Sequence, residues 1–346
     1  MLVHNPYEDV DFETDTAAKG EFHTHADETG ETPPAHELVD LYESKGYDVL
    51  CISSKSYAPS AYPWREFSEI EDHWEDRYPI GYHDETDDQE KQADLVAIQG
   101  NEQQQIEHII NLGLDMVNED YLPEERLDMS QHDGGNYWRR FGIEEVEDRD
   151  GCCFLAHCGR YYETVDRWER YVTDYRRFEE ETLFGFEVWN RTNRYPEDED
   201  MYSKLLSAFS PFRPIWALSS GDPNTEADIG HNWTTVFTDE LESETIIDHM
   251  IEGHMTASVD YSGDENAPEL TDVTVDETAE TITVTGESVD QVEWFAEGEV
   301  IGTGSTIDYG QKVDDGEIQN HVFPKLIEGD NDGETIVQPF MFGREQ

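Results

Sequence analysis

Lys19-Gly20-Glu21-Phe22-His23-Thr24-His25-Ala26-Asp27 is the stretch on which the reading of this chain turns. Two histidines sit at i and i+2, just after a glycine, a glutamate and a phenylalanine. In an extended strand alternate side chains share a face, so His23 and His25 point one way and Thr24 the other. Two imidazoles converging from one strand end suit a transition metal such as Zn, Mn or Fe. A His-x-His pair alone more often marks surface or core histidines. The weight therefore rests on what surrounds it.

Outward from this strand the pattern is strand and helix in alternation. Thr32-Pro33-Pro34 opens a helix with Leu38, Val39, Leu41 and Tyr42 on one face, and Gly46 ends it. Residues 47–53 form the next buried strand, which completes a strand–helix–strand unit. Residues 57–93, with Trp64 and Trp74, break the rhythm and read as an insertion over one end of the fold. Residues 94–100 are a strand that delivers Asn101 and Glu102. Residues 106–113 are a strand with His108 near its start. A helix centred on Trp138 follows, and residues 151–157 are a strand ending on His157. Beyond lie an amphipathic helix over 166–181, a strand over 183–189 carrying Glu187, a helix over 201–209, and a strand over 214–222 running into Asp222. A short strand at 233–237 and a helix at 243–253 close the series. Alternation over about 240 residues is the size of a closed α/β barrel, whose active face lies at the carboxyl ends of the strands. His23, His25, Glu102, His157 and Asp222 are expected to converge there, with His108 entering from a neighbouring strand.

These motifs together resemble the PHP family, named for polymerase and histidinol phosphatase domains. Phe22-His23-Thr24-His25 resembles its first motif and Gly100-Asn101-Glu102 its Pro-Gly-x-Glu turn. Glu107-His108-Ile109 resembles its next histidine segment, and Leu155-Ala156-His157-Cys158-Gly159-Arg160 its Ala-His-Pro-Gly-Arg. Glu187-Val188-Trp189-Asn190 with Arg194-Tyr195-Pro196 matches a subgroup pattern. The resemblance spans about residues 19–258. It implies a distorted (β/α)7 barrel that holds up to three metals and, in many members, hydrolyses phosphate esters. By that resemblance one ion would use His23, His25, Glu102 and Asp222. A second would use the bridging Glu102 with His108 and His157.

The departures are selective. The family's Thr-Asp-His after the second strand is Ser53-Ser54-Lys55 here, and its final Asp-x-His is Asp222-Pro223-Asn224. The acid or histidine expected shortly after the His-x-His pair is missing, with Thr29-Gly30 nearby. In the family these three positions build the third metal site. The expectation is a two-metal phosphoesterase centre of divalent transition ions (Zn, Mn or Fe). Lys55 would supply positive charge where the third metal would stand, and Arg160 would clamp a phosphate. Glu102, Lys55 and Arg160 are the candidate catalytic residues, and a small phosphate ester is the expected substrate. The alternative is a catalytically silent PHP scaffold that binds a ligand or protein. Glu187 reads either as support for a ligand or as an interior polar residue. His36, His73, His83, His132 and His231 are further candidate ligands, more readily read as solvated histidines.

Composition sets the setting. The 346 residues carry 22 Lys+Arg against 82 Asp+Glu, a formal net charge of −60. Such self-repulsion weakens a compact state in dilute buffer, but at molar salt the screening length shrinks to about 3 Å. Aromatic residues make up 12% of the chain, too many for an acidic disordered one. The expectation is a folded protein of a high-salt cytoplasm. It is not expected to bind nucleic acid, whose affinity rests on Lys and Arg. Cys51, Cys152, Cys153 and Cys158 form no paired CxxC arrangement and fit a reduced cytoplasmic protein. No apolar run approaches a membrane span of about 20 residues, and no signal peptide is expected at the N-terminus. Residues 1–18 read as a flexible lead-in and 19–261 as the barrel. From Leu270 on, short alternating strands read as a small all-β sandwich domain over 262–346.

Overall fold

The computed structural model describes residues 1–25, 33, 35–56, 95–103, 107–114, 136–161, 168–263, 266–329 and 332–343, with only the backbone for 35, 36, 54–56 and 136–138. The proposed insertion, Thr29, His73, His83 and His132 lie outside these residues, as do the side chains of His36, Lys55 and Trp138.

The chain opens with β1 (Leu2–His4), β2 (Thr16–Thr24), α1 (Ala35–Ser44), β3 (Val49–Ile52), β4 (Ser54–Ser56), β5 (Val96–Ala97), β6 (Gly100–Gln103) and β7 (Ile109–Leu112). It continues with α2 (Asn136–Asp148), β8 (Cys152–Leu155), α3 (Glu169–Arg177), β9 (Leu183–Asn190), α4 (Glu197–Phe209), β10 (Trp216–Ser220), β11 (Asn232–Thr238), α5 (Ser243–Glu252) and β12 (Met255–Asp260). The last part holds β13 (Glu269–Asp276), β14 (Thr281–Glu287), β15 (Gln291–Ala296), β16 (Glu299–Thr303), β17 (Thr306–Asp308), α6 (Tyr309–Asp314), β18 (His321–Glu328), β19 (Gly333–Val337) and β20 (Phe340–Phe342).

The architecture is mixed α/β, built on a curled half-barrel sheet and further β-sheets. A six-stranded sheet has the order β10-β9-β8-β7-β6-β4. An 11-stranded sheet follows the path β1-β20-β18-β19-β12-β11-β2-β3-β5, with β15 and β16 attached through β18. A third sheet is β13-β14-β17. Parallel pairing joins β2, β3 and β5, joins β4 to β6, and joins β8, β9 and β10. Antiparallel pairing links β6, β7 and β8, and β2, β11 and β12. For β6 and β7 the reason lies in the connection. Parallel neighbours need a long crossover, and only a few residues separate β6 from β7.

One apolar cluster lies between the first two sheets. It takes Phe22 from β2, Val49 and Cys51 from β3, Ile110 from β7, Phe154 from β8, Leu218 from β10 and Val236 from β11. The continuous apolar runs of β3, β8 and β9 are buried along their whole length, as expected of strands covered on both faces. Tyr171 and Tyr175 of α3 and Met201, Tyr202, Leu205 and Leu206 of α4 cover the outer face of the six-stranded sheet. Residues 1–18 contribute β1 and the start of β2. Buried Tyr7 anchors them, donating its hydroxyl to the Met255 carbonyl at 2.7 Å and accepting the Gln338 N–H at 2.9 Å. Strands after residue 262 return to the large sheet, where β19 pairs with β12. A separate apolar cluster, including Leu270, Ile282, Trp294 and Leu326, lies beneath the third sheet. The four cysteines are buried and unpaired. No described helix is long and apolar enough to cross a membrane.

Candidate metal centre

The site is assembled at strand ends. β2 carries His23 in its last turn of pleat and passes directly to His25, while Phe22 and Thr24 face the other way. Phe22 packs into the inter-sheet core, and Thr24 accepts the Tyr42 hydroxyl at 3.0 Å. The two histidine rings meet edge-on, 5.2 Å apart. Glu102 projects from β6, and His108 directly precedes β7. The approach of these strands requires Gly100, because a Cβ there would lie 2.3 Å from the Asn111 carbonyl oxygen and 2.7 Å from Cys51 Sγ.

His157 and Asp222 follow the ends of β8 and β10. Both adopt the left-handed backbone, with φ of 30° and 38°. Such conformations cost a non-glycine residue about 1–3 kcal/mol and persist only where neighbours overdetermine them. Here they are pinned. The His157 N–H donates to Glu187 Oε2 at 2.7 Å, and the Asp222 N–H donates to the His23 carbonyl at 2.8 Å. Arg191 Nε donates to the Asp222 carbonyl at 2.8 Å, and its Nη2 to Asp222 Oδ2 at 2.8 Å.

Six buried side chains, His23, His25, Glu102, His108, His157 and Asp222, thereby converge. His25 Nε2 lies 3.2 Å from Glu102 Oε2 and 3.3 Å from Asp222 Oδ1. His23 Nε2 lies 3.5 Å from Glu102 Oε1 and 3.7 Å from Asp222 Oδ1. His157 Nε2 lies 3.3 Å from the same Glu102 oxygen, and His108 Nδ1 also contacts it. His23, His25 and Asp222 form one group able to hold an ion, and Glu102, His108 and His157 form another. The donor chemistry fits metal. Ligands about 2.1 Å from a common ion in tetrahedral array stand about 3.4 Å apart, as these do. His23 Nε2 and His157 Nδ1 are buried without a hydrogen-bond partner among the described residues, so these residues do not form a closed hydrogen-bond network.

No protein-family model and no curated protein matches the chain. Solved structures do. A two-domain protein of Bacteroides vulgatus, described as containing a predicted PHP-like metal-dependent phosphoesterase, aligns over 99% of this chain and 91% of its own. Its TM-score is 0.51 and its identity 13%. The fold is PHP-like. An amidohydrolase of Chromobacterium violaceum, solved with sulfate and no metal, covers 69% of this chain and 97% of its own at a TM-score of 0.39 and 15% identity.

Charge in this pocket favours a cation. Burial works against ionised Glu102, yet His108, His25 and hydrogen bonds from His108 and His157 hold its carboxyl well below the usual range. Asp222 is likewise held down, against burial, by His23, His25 and His157. Burial drives His108 down to about 4 in spite of Glu102. Two ionised carboxylates and a neutral imidazole are the protonation states that metal binding demands. Burial opposes charge on His23, but Glu187, Asp222 and Glu102 together raise it well above its ordinary value.

Lys55 stands in β4 opposite Glu102 in backbone register. The position proposed for its ammonium lies outside the described side chains. Arg160 is exposed in the 3-10 turn Cys158–Arg160. Its guanidinium lies 5.8 Å from the Tyr161 ring centre, near enough to His108 to oppose protonation there. His231 is engaged elsewhere, with Nδ1 2.9 Å from the Asp260 carbonyl oxygen.

Three supporting residues escaped the sequence or were underweighted by it. Glu187 Oε1 lies 3.0 Å from His23 Nδ1, while its other oxygen holds the His157 backbone. Glu21 accepts the N–H groups of His23 and Gly221, each at 2.9 Å, tying the ends of β2 and β10 together. Burial pushes its carboxyl up to about 8. Arg191 secures Asp222 and donates to Asn224 Oδ1 at 3.1 Å. An acid two residues before His23 was the available signal for Glu21. Arg191 stands between the two segments of the subgroup pattern and carried no signal of its own.

Proposed function

We propose that the chain is a metal-dependent phosphoesterase acting on a small phosphate ester through a two-metal centre. His23, His25, Glu102 and Asp222 would hold one divalent transition ion, and Glu102, His108 and His157 the other. The observation that carries this reading is the place of Glu102, whose two oxygens face the two histidine groups at 3.2–3.5 Å. When bound, the ions supply Lewis acidity and activated water near neutral pH. The chain's own residues orient and charge the site. Glu187 accepts from His23 Nδ1, which leaves Nε2 to face the carboxylates, a common arrangement behind metal-ligating histidines. Arg191 fixes Asp222. Arg160 would supply positive charge for an anionic substrate, and Lys55, in register with Glu102, would add to it.

Arg191 engages Asn224, which stands where the resemblance places a third-site histidine, and this supports two ions rather than three. The same loss favours, as the second reading, a silent scaffold that binds a ligand. The high-salt cytoplasmic setting and the strands after 262 as a small β-sandwich domain belong to the same proposal.

The test is elemental analysis after metal loading in molar KCl, joined to hydrolysis of a generic phosphate ester. Two equivalents that depend on Glu102, lost or reduced together with turnover in Glu102→Ala, support the hydrolase. Metal without turnover in the wild type supports the scaffold. Unchanged hydrolysis in Glu102→Ala overturns the two-metal reading.

A further inference from the structure

We infer that His249, Glu252 and His254 form a second, separate site for one first-row transition-metal ion, such as Zn²⁺, at the carboxyl end of α5. His249 lies in the last turn of α5, and Glu252 closes the helix. Gly253, at φ 84°, then folds the chain back so that His254 returns beside His249. This turn is built, not incidental. The His254 N–H donates to the His249 carbonyl at 2.9 Å, and its own carbonyl accepts the Phe237 N–H at 2.8 Å. A Cβ on Gly253 would lie 2.7 Å from the Trp216 ring.

The two imidazole rings stand 5.1 Å apart. One nitrogen from each and a Glu252 oxygen all lie within 4.8 Å of one another. His254 Nδ1 is 3.7 Å from Glu252 Oε2. His249 Nδ1 is buried and has no hydrogen-bond partner among the described residues. His254 is 8% exposed, whereas the Glu252 side chain is 60% exposed and free to close onto an ion.

Acid is everywhere in this chain and means little alone. Histidine is scarce, 13 residues against 82 acids, and two of them meet here. Asp239 Oδ1 lies 4.0 Å from His249 Nε2. Two imidazoles and one carboxylate supply three ligands, as in zinc sites whose fourth position is held by water. The site is remote from the strand-end cluster. Phe237 is in register with Ala17, six residues before His23, and at about 3.3 Å per residue the separation is about 20 Å. Its role would be to clip α5 to β11 and β12.

The experiment titrates metal-stripped wild type, His249→Gln, His254→Gln and Glu252→Gln with Zn²⁺ in molar KCl, competing against a chromophoric chelator. Far-UV circular dichroism checks that each variant is folded. The wild type is expected to bind one equivalent more than either histidine variant. Glu252→Gln, at an exposed position, should weaken that equivalent at least tenfold. Zn²⁺ should raise the wild-type melting temperature more than that of any variant. Equal stoichiometry and affinity in all four proteins would overturn the site, whatever happens at the His23 cluster. If neither histidine variant folds, Glu252→Gln decides alone: wild-type affinity at every equivalent rejects the proposal.

Discussion

Glu187→Gln isolates the supporting layer of the proposed centre. The carboxylate holds three groups: His23 Nδ1 at 3.0 Å, the His157 N–H at 2.7 Å and Asn190 Nδ2 at 3.1 Å. The amide keeps the shape but offers one acceptor oxygen and one NH₂. If the oxygen stays on the His157 N–H, the NH₂ faces His23 Nδ1 and favours the tautomer with its proton on Nε2, the nitrogen that faces Glu102 and Asp222. If the oxygen turns to His23, the NH₂ meets the His157 N–H donor to donor, and that residue loses the bond pinning its φ of 30°. Either way one charge-assisted hydrogen bond, worth about 1.5–3 kcal/mol, is lost. At about 1.4 kcal/mol per tenfold, metal affinity should fall roughly 10- to 150-fold, in line with the usual 10–100-fold cost of losing such a partner. Chelator competition in molar KCl measures the affinity, and ¹⁵N NMR of the histidine rings reports the tautomer. A folded Glu187→Gln protein with wild-type affinity would refute the reasoning, because Glu187 would then be only an interior polar residue.

Lys55→Ala should keep the metal content of the Glu102 centre yet lower turnover or substrate affinity; a fall in metal content would assign Lys55 to the architecture instead. The net charge of −60 predicts loss of circular dichroism as KCl falls from molar toward 0.1 M, where the screening length grows to about 10 Å; full native stability in dilute buffer would remove the high-salt reading. Burial lowers His321 to about 4 despite Glu297, below its ordinary unfolded value of about 6.5. The unfolded chain therefore binds the extra proton between these values, and stability should fall as pH drops from about 6.5 toward 4. His321→Phe should flatten that part of the unfolding free-energy profile by up to about 3 kcal/mol; urea titrations giving parallel profiles for the two proteins would show that the ring is protonated without cost.

The site residues were legible because their chemistry is local. His23 and His25 share a strand, and His157 and Asp222 each end an apolar run that any strand pattern marks. What joins them was not legible. Alternation marks a strand but carries no partner, so nothing in residues 255–260 announces that β12 lies between β11 and β19. The short spacing of β6 and β7 foretold their antiparallel pairing only in hindsight, against an expectation of parallel alternation. Glu187 and Glu21 illustrate a related limit. A buried carboxylate acquires its meaning from what lies opposite, and His23 is 164 positions from Glu187 in the chain.

The pairing of β1 with β20 carries a consequence for how the molecule is made. Leu2 is in register with Phe342, and Tyr7 accepts the N–H of Gln338, 331 positions away. During synthesis the first strand has no partner until nearly all the described chain has been translated. At about 5–20 residues per second, that leaves an unmatched strand edge open for tens of seconds. Contacts so distant in sequence also slow folding, since the ends must be brought together before any of the pairing energy is gained. In a chain so acidic, mutual repulsion between nascent copies is a natural guard against edge-to-edge aggregation over that interval, and salt weakens it.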